Sequence, residues 1–308
     1  MSGRLLALGL ALLLSTSCAV SGRAGMSQRE VAHLWQEPAD LERRDLFYGA
    51  GGRSMAPSAT ATYTVVEADV DGFSAGYDVR DDQGRLWSVK LGPESQTEVV
   101  ASRLLWAVGY HQPAVYYLPK WTLTKNGTRS AQSPGRFRLE PASEEKLGEW
   151  SWRSNPFIGT RPYQGLFVLM VMINNWDLKT SQNAVYRVAS KTDDPRNVYV
   201  VKDLGASFGK TTWLLPGTRN DVAGFEQERF IRNVEGNRVT FYYQGGWREP
   251  HLTASAAPDD VRWIADLLAR LSPRQWNDAF RAGGYSEADA ARFIKRLREK
   301  IADGQNVG

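Results

Sequence analysis

Cysteine is almost absent from this chain, which has one cysteine and three histidines among 308 residues. Zinc fingers, cysteine-ligated clusters, structural disulfides and Cys-x-x-Cys redox sites all need a second cysteine, so the sequence excludes them. The histidines form no His-Glu-x-x-His pair. A strong charge imbalance is also lacking, because the net charge is only +4 at pH 7. We therefore expect no nucleic-acid partner, since such binding needs a clustered basic face.

A membrane-spanning run is lacking too, although the chain begins with an apolar stretch. Leu5 to Leu14 is shorter than the ~20 residues that span a bilayer. Basic Arg4 precedes this stretch and Ser15-Thr16-Ser17 follows it, an order typical of a cleaved signal over residues 1–17. Cys18 then stands where bacterial lipoproteins carry their lipidated cysteine, although Ser15 takes the place of the usual leucine. The sequence predicts an exported protein that is anchored through Cys18 on the extracytoplasmic side of a bacterial envelope. Cleavage by an ordinary signal peptidase is the alternative.

The first part of the remaining chain is rich in β-strand patterns. After a tether over residues 18–30, the alternation of apolar and polar residues predicts a three-stranded antiparallel meander. Its strands are Tyr63 to Ala68, Gly76 to Arg80 and Leu86 to Leu91. Helical spacing follows over Ser95 to Gly109. Two more strands, Val115 to Leu118 and Arg136 to Leu139, flank a polar loop that we predict from Lys125 to Pro134.

The second part of the chain is mainly helical. The apolar segment from Gln164 to Asn174 is a buried helix or strand, and we favour a helix. A strand pair, Ala184 to Val188 and Val198 to Val201, comes next, and helical patterns continue from Pro258. Strands that come first and helices that come last predict an α+β fold of two lobes with a cleft between them. We place the β-rich N-lobe at residues 31–142 and the helical C-lobe at 143–308.

Four polar signals occur where this order of elements would bring them to one cleft. Lys90 lies on the strand face opposite to Trp87 and Val89, and a lysine facing a cleft there needs an anionic partner. Glu98 lies in the first turns of the next helix. Asp177 lies in a polar loop after the apolar helix, and Asp203 follows the strand pair in an Asp-Leu-Gly turn. An acidic residue and an amide beside a hairpin suit a Mg²⁺ triphosphate site, because Mg²⁺ takes few side-chain ligands and binds phosphate and water oxygens besides.

From Tyr63 to Gly209 this order resembles the protein-kinase-like superfamily, in its divergent bacterial and secreted branches. The resemblance implies a bilobal protein-kinase-like fold that binds ATP with Mg²⁺ or Mn²⁺. By this resemblance Lys90 would hold the phosphates, Glu98 would pair with Lys90, and the turn containing Gly72 and Gly76 would lie over the phosphates. Asp177 would accept the proton of the substrate hydroxyl, with Lys179 near the transferred phosphate. The implied metal ligands are Asp203 with Asn183 or Gln182.

The chain departs from ordinary kinases at several of these positions. Asn175-Trp176-Asp177 replaces His-Arg-Asp, and Asn183 stands six rather than five positions after Asp177, which makes Gln182 a rival ligand. We expect phosphoryl transfer from ATP to a hydroxyl of a protein or small molecule in the cell envelope. The alternative is a non-catalytic, pseudokinase-like lipoprotein that binds envelope components. The tryptophans Trp150, Trp152 and Trp247 would then be its exposed contact residues.

Overall fold

The computed structural model of the protein describes residues 26–69, 76–189, 195–212, 216–244 and 256–308. The expected signal segment, Cys18, Gly72 and Trp247 lie outside these ranges. Within them, no helix is both long enough and apolar enough to cross a membrane.

A seven-stranded sheet forms the first lobe. The predicted meander is present, with antiparallel pairing of β1 to β2 and of β2 to β3. The strand order is β4-β7-β3-β2-β1-β5-β6, and β1 pairs with β5 in parallel. The strands are β1 (Thr62–Asp69), β2 (Gly76–Arg80), β3 (Leu86–Leu91), β4 (Val115–Leu118), β5 (Trp121–Lys125), β6 (Thr128–Gln132) and β7 (Gly135–Leu139).

The predicted polar loop from Lys125 to Pro134 is wrong, because this stretch is largely a β-hairpin. Strands β5 and β6 pair in antiparallel register around Asn126 and Gly127, both of which have positive φ. An Asn-Gly pair favours such tight hairpin turns. Strand β6 is polar and almost wholly exposed, so it lacks the apolar alternation by which a strand is recognised.

The two faces of this sheet differ sharply in chemistry. One face carries buried aromatic residues, including Tyr63, Trp87 and Phe137. In the register of β3 with β7, Lys90 lies opposite Arg136 and Ser88 opposite Arg138. Because side chains alternate along a strand, these four polar residues share the other face, which is turned toward helix α2 (Glu94–Ala107) and the second lobe.

The second lobe is built around the buried helix α3 (Arg161–Met172), which confirms the helical prediction for this segment. Thr160 caps its first turn by accepting a hydrogen bond from the Tyr163 backbone. Helix α3 contacts both α5 and α7. The other helices of the described ranges are α1 (Gln28–Val31), α4 (Val222–Gln227), α5 (Pro258–Ala269), α6 (Pro273–Ala282) and α7 (Glu287–Gln305).

A three-stranded antiparallel sheet of order β10-β9-β8 includes the predicted strand pair. It consists of β8 (Glu144–Gly148), β9 (Asn183–Val188) and β10 (Arg196–Val201), and a separate hairpin is formed by β11 (Ile231–Glu235) and β12 (Arg238–Phe241). The α+β class and the β-first, helix-last order of two lobes are therefore confirmed. The boundary that we placed between residues 142 and 143 stays a prediction.

The expectation that Trp150 and Trp152 lie in exposed loops is wrong. Their exposed fractions are 4% and 0%, and their ring centroids are 4.9 Å apart. The indole of Trp150 donates to the carbonyl of Val200 at 2.9 Å. Both side chains belong to the core of the second lobe, so they offer no binding surface.

Phe208 begins an aromatic cluster that anchors the chain just after Asp203. Its ring centroid lies 5.6–5.8 Å from those of Phe225, Phe280 and Phe293. Phe208 has a positive φ, and its backbone N–H donates to the carbonyl of Ile173 at 2.8 Å. The cluster therefore holds the segment after Asp203 against the end of α3.

We expect Phe293→Ala to lower the free energy of unfolding by about 3–5 kcal/mol, because the truncation leaves a cavity among aromatic rings. Urea unfolding at equilibrium measures this change. Phe293→Leu, which keeps more of the volume, should cost clearly less. Equal, small losses in both variants would show that the cluster does not carry the stability that we assign to it.

Candidate functional site

A single ammonium group, that of Lys90, lies among three carboxylates between the lobes. Its Nζ is 2.7 Å from Asp203 Oδ2, 3.3 Å from Glu94 Oε2 and 3.6 Å from Glu98 Oε2. Lys90 belongs to the first lobe, whereas Asp203 lies two residues after the end of β10, in the second. The predicted partners Lys90, Glu98 and Asp203 are thus brought together, and Glu94 joins them.

Local structure explains why two glutamates face this lysine. Strand β3 ends one residue after Lys90, and α2 begins at Glu94 after a turn at Gly92, which has a positive φ. The hydroxyl of Ser95 donates to the carbonyl of Lys90 at 2.7 Å and fixes this turn. Glu94 and Glu98 are four residues apart on the helix, so both lie on the face that meets the end of the strand.

Two arginines balance the remaining negative charge. Arg136 Nε lies 2.9 Å from Glu98 Oε1, and both side chains are almost fully buried. Arg219 forms an ion pair with Glu94, and its guanidinium lies over the Trp176 ring, 4.9 Å from the centroid. Burying a carboxylate is costly unless it is paired with a cation. Arg136 therefore offsets the charge of Glu98, and Arg219 offsets that of Glu94.

Sequence reasoning missed Glu94, Arg136 and Arg219. Two signals were available: Glu94 falls four residues after Lys90 and four before Glu98, and Arg136-Phe137-Arg138 alternates charge with an aromatic residue inside a predicted strand. Such alternation indicates a strand with one charged face. Arg219 gives no local signal, because it reaches Glu94 across 125 positions of the chain.

Asp203 is an ionised carboxylate at neutral pH. Burial raises its pKa, but the charge of Lys90, the Lys90 hydrogen bond and the backbone N–H of Gly205 together outweigh burial, so the pKa is held below its ordinary value. About a quarter of the side chain (26%) is still exposed. An ionised, partly accessible carboxylate beside a lysine is suited to a metal ion that arrives with phosphate.

Asp177 lies in the second lobe and is joined to Asp203 through Gln182. Asp177 Oδ2 accepts hydrogen bonds from Lys179 Nζ at 2.8 Å and from Gln182 Nε2 at 3.0 Å. The carbonyl of Gln182 accepts the backbone N–H groups of Lys202 at 2.9 Å and Asp203 at 3.2 Å. The predicted catalytic residues Asp177 and Lys179 are therefore paired with each other, and the backbone of Gln182 connects them to Asp203, the partner of Lys90.

Further contacts fasten the loop that carries Asp177 to the segment that follows Asp203. Asn174, at positive φ, donates to the carbonyl of Gly209 at 2.7 Å. Its Oδ1 accepts from Nζ of the fully buried Lys300 at 2.7 Å. The amide of Asn175 donates to Ser207 Oγ at 3.1 Å, and the backbone N–H of Trp176 to the carbonyl of Ala206 at 3.3 Å. Three hydrogen bonds therefore join the two segments.

The structure separates the two rival amides. Gln182 contacts Asp177, as described above, whereas the Asn183 amide donates to the carbonyl of Trp150 at 2.9 Å and is fully buried. Of the two, Gln182 lies with the acidic residues of the cleft; the metal role of either stays a prediction.

Among the described residues, no group of three or more His, Cys, Asp or Glu side chains is arranged to hold a metal by itself. Asp203 with an amide suits Mg²⁺ or Mn²⁺ only if phosphate and water supply further oxygens.

Only part of the turn that we predict to lie over the phosphates falls within the described residues. Gly76 pairs with Lys90 in the β2–β3 register, so its backbone lies beside the lysine. Gly72 is outside the described ranges, and its predicted role is untested.

Comparison with known proteins adds little to this geometry. No family model matches the chain, and no curated protein matches it. Among solved structures the chain is similar to the crystal structure of CtkA, a proinflammatory kinase of Helicobacter pylori. The two are 11% identical, the match covers 79% of this chain and 97% of that one, and the TM-score is 0.39.

Replacing Lys90 should raise the pKa of Asp203. In Lys90→Met, burial still raises this pKa, but the ammonium charge and its hydrogen bond are gone. A depressed carboxylate pKa stabilises the fold above the unfolded-state value of about 4, and this stability is lost as pH falls through the folded-state pKa. The variant should therefore lose stability at neutral pH and depend less on pH in the acid range.

A ¹³C NMR titration of the Asp203 carboxyl, in metal-free buffer, measures the pKa directly. Lys125→Met, at an exposed position of β5, is the control and should leave the Asp203 pKa unchanged. An unaltered pKa in Lys90→Met would contradict the ion pair.

Proposed function

We propose that the protein is a kinase-like phosphotransferase that moves the terminal phosphoryl group of a phosphoanhydride donor, ATP by the resemblance, to a hydroxyl of a protein or small molecule. The observation that carries this proposal is the contact of Lys90 with Asp203 across the two lobes, with Asp177 joined to them through Gln182. It gathers a phosphate-binding cation, a carboxylate for a metal and a carboxylate for a hydroxyl proton. Phosphoryl transfer needs little more, because its catalysis is mostly positioning and charge stabilisation.

Each residue has a defined part in the proposed reaction. Lys90, held by Glu98, binds donor phosphate oxygens, while Asp203 and Gln182 hold Mg²⁺ or Mn²⁺. The metal, when bound, neutralises charge on the phosphates. Asp177 orients the acceptor hydroxyl and takes its proton as the new O–P bond forms and the phosphoanhydride bond breaks. Lys179, which is paired with Asp177, would contact the transferred group.

The alternative of a non-catalytic binding module loses its main support. Two of its three contact residues, Trp150 and Trp152, are buried, and Lys90 lies within ion-pair distance of both Glu98 and Asp203. The third, Trp247, lies outside the described residues and stays untested. Export and lipidation at Cys18 remain a proposal that depends on the order of residues in the first 18 positions.

Mg-ATP should raise the midpoint of thermal unfolding of the mature chain. A ligand at 100 times its dissociation constant stabilises the folded state by about 2.7 kcal/mol. Asp203→Asn should lose the Mg²⁺-dependent part of the shift, because the amide cannot neutralise the metal charge. Asp82→Asn, in an exposed turn, is the control and should keep it. No Mg-ATP shift in any variant would contradict the site assignment.

Asp177→Asn should separate binding from chemistry. The variant keeps the shape of the side chain but has no carboxylate to accept the hydroxyl proton, so the turnover number should fall about 10²- to 10⁴-fold. Mg-ATP should raise the midpoint of thermal unfolding of this variant by the same amount as that of the unmodified chain. The measurement is transfer of the labelled terminal phosphoryl group to an acceptor or to water. Unchanged turnover would show that Asp177 is not the proton acceptor.

A further inference from the structure

Helix α2 is attached at its first turn to residues 218–220, a short segment of the second lobe. Arg219 forms an ion pair with Glu94, the first residue of the helix. The side-chain amide of Asn220 donates to Gln96 Oε1 at 3.0 Å. Two neighbouring residues of the 218–220 segment therefore contact the same turn of α2.

The 218–220 segment is also attached to the loop that carries Asp177. The guanidinium of Arg219 lies over the Trp176 ring, 4.9 Å from its centroid. The indole N–H of Trp176 donates to the carbonyl of Thr218 at 2.9 Å. Trp176 is buried and directly precedes Asp177 in the sequence. Arg219 thus contacts α2 on one side and the residue next to Asp177 on the other.

These contacts place Arg219 between the two halves of the proposed reaction. Lys90, which would bind the donor, lies 3.3 Å from Glu94 on the α2 side. Asp177, which would accept the proton of the hydroxyl, lies on the other side. The reaction rate depends on how these two groups are placed, because a displacement of about 1 Å can lower a rate about 10²-fold.

We propose that Arg219 is a positioning residue, which joins α2 to the Asp177 loop and so fixes the distance between the donor-binding lysine and the proton-accepting carboxylate. This inference rests on the proposed function. Binding of the donor should not require the link, because Glu98, the partner of Lys90, is held separately by Arg136 at 2.9 Å. A planar guanidinium suits the position, since it can pair with a carboxylate and stack on an indole at once.

The double variant Glu94→Gln/Arg219→Gln tests the proposal, because it removes the ion pair and the stacked cation without changing the net charge. Titration calorimetry should give a dissociation constant for Mg-ATP within about twofold of that of the unmodified chain. Release of the labelled terminal phosphate to water, measured per Mg-ATP-binding site, should fall about tenfold or more. Counting the binding sites removes any unfolded protein from the rate.

Two further variants complete this experiment. Glu226→Gln/Arg292→Gln removes an arginine–glutamate pair between α4 and α7, and as the control it should change neither quantity. Arg219→Lys keeps the charge beside Glu94 but cannot lie flat on the Trp176 indole. It should bind Mg-ATP as the unmodified chain does and turn over at an intermediate rate. An unchanged rate in the double variant, or Mg-ATP binding that weakens as much as the rate falls, would overturn the inference.

Hydrogen exchange followed by NMR gives a second readout, which does not depend on activity. In Arg219→Gln without nucleotide, two protons should exchange several-fold faster than in Arg292→Gln. One is the indole N–H of Trp176, and the other is the backbone N–H of Glu98, which closes the first turn of α2. Faster exchange at only one of these protons, or at neither, would contradict a link between the two elements.

The proposed function and this inference fail in different ways. If the unmodified chain transfers phosphate from Mg-ATP and the double variant does so at the same rate, the function stands and the positioning role of Arg219 does not. If the unmodified chain neither binds nor turns over Mg-ATP, but both protons exchange faster in Arg219→Gln, the link between α2 and the Asp177 loop stands and the phosphoryl-transfer assignment does not.

Discussion

The contact between Lys90 and Asp203 is the interaction on which the arrangement of the cleft depends. It joins the end of a first-lobe strand to the start of a second-lobe turn. A lysine in this position needs anionic partners, because its side chain is largely removed from solvent and an unpaired charge there would be costly. Glu94 and Glu98 add negative charge on the helix side, so the ammonium has three partners. In the proposed reaction a donor phosphate would replace Asp203 as a partner of Lys90, while Glu98 keeps its contact with the lysine, and Asp203 would then be free to bind a metal ion.

The second lobe supplies the rigid support that this contact requires. Hydrogen bonds from Asn174 and Asn175 fasten the Asp177 loop to the segment after Asp203, and Lys300 fixes Asn174 from the last helix. Phe208 anchors the far end of that segment in an aromatic cluster. Asp177 and Asp203 therefore have their positions set by residues distant in sequence, which is what a reaction that depends on positioning demands.

The apolar pattern of the sequence predicted much of this fold, because buried residues such as Tyr63, Val79 and Trp87 recur along the first three strands and α3 is apolar along almost its whole length. It failed for β6, which is polar and exposed, and for Trp150 and Trp152, whose loop-like neighbours concealed their burial. The order of motifs along the chain was enough to bring Lys90, Glu98 and Asp203 to one place. Glu94 and Arg136 lay within reach of pattern analysis, whereas the pairing of Arg219 with Glu94 depends on tertiary structure alone.

Binding of Mn²⁺ in place of Mg²⁺, followed by electron paramagnetic resonance, tests the central claim most directly. In the presence of ATP or tripolyphosphate, the Mn²⁺ bound in excess of a protein-free solution of the same ligand should reach about one ion per chain, and Asp203→Asn should abolish this excess. The ion should bind weakly without a phosphate ligand, because the described residues offer too few oxygens by themselves. Binding that is equal in the Asp203→Asn variant, or that needs no phosphate, would contradict the account of the cleft as a metal–phosphate site.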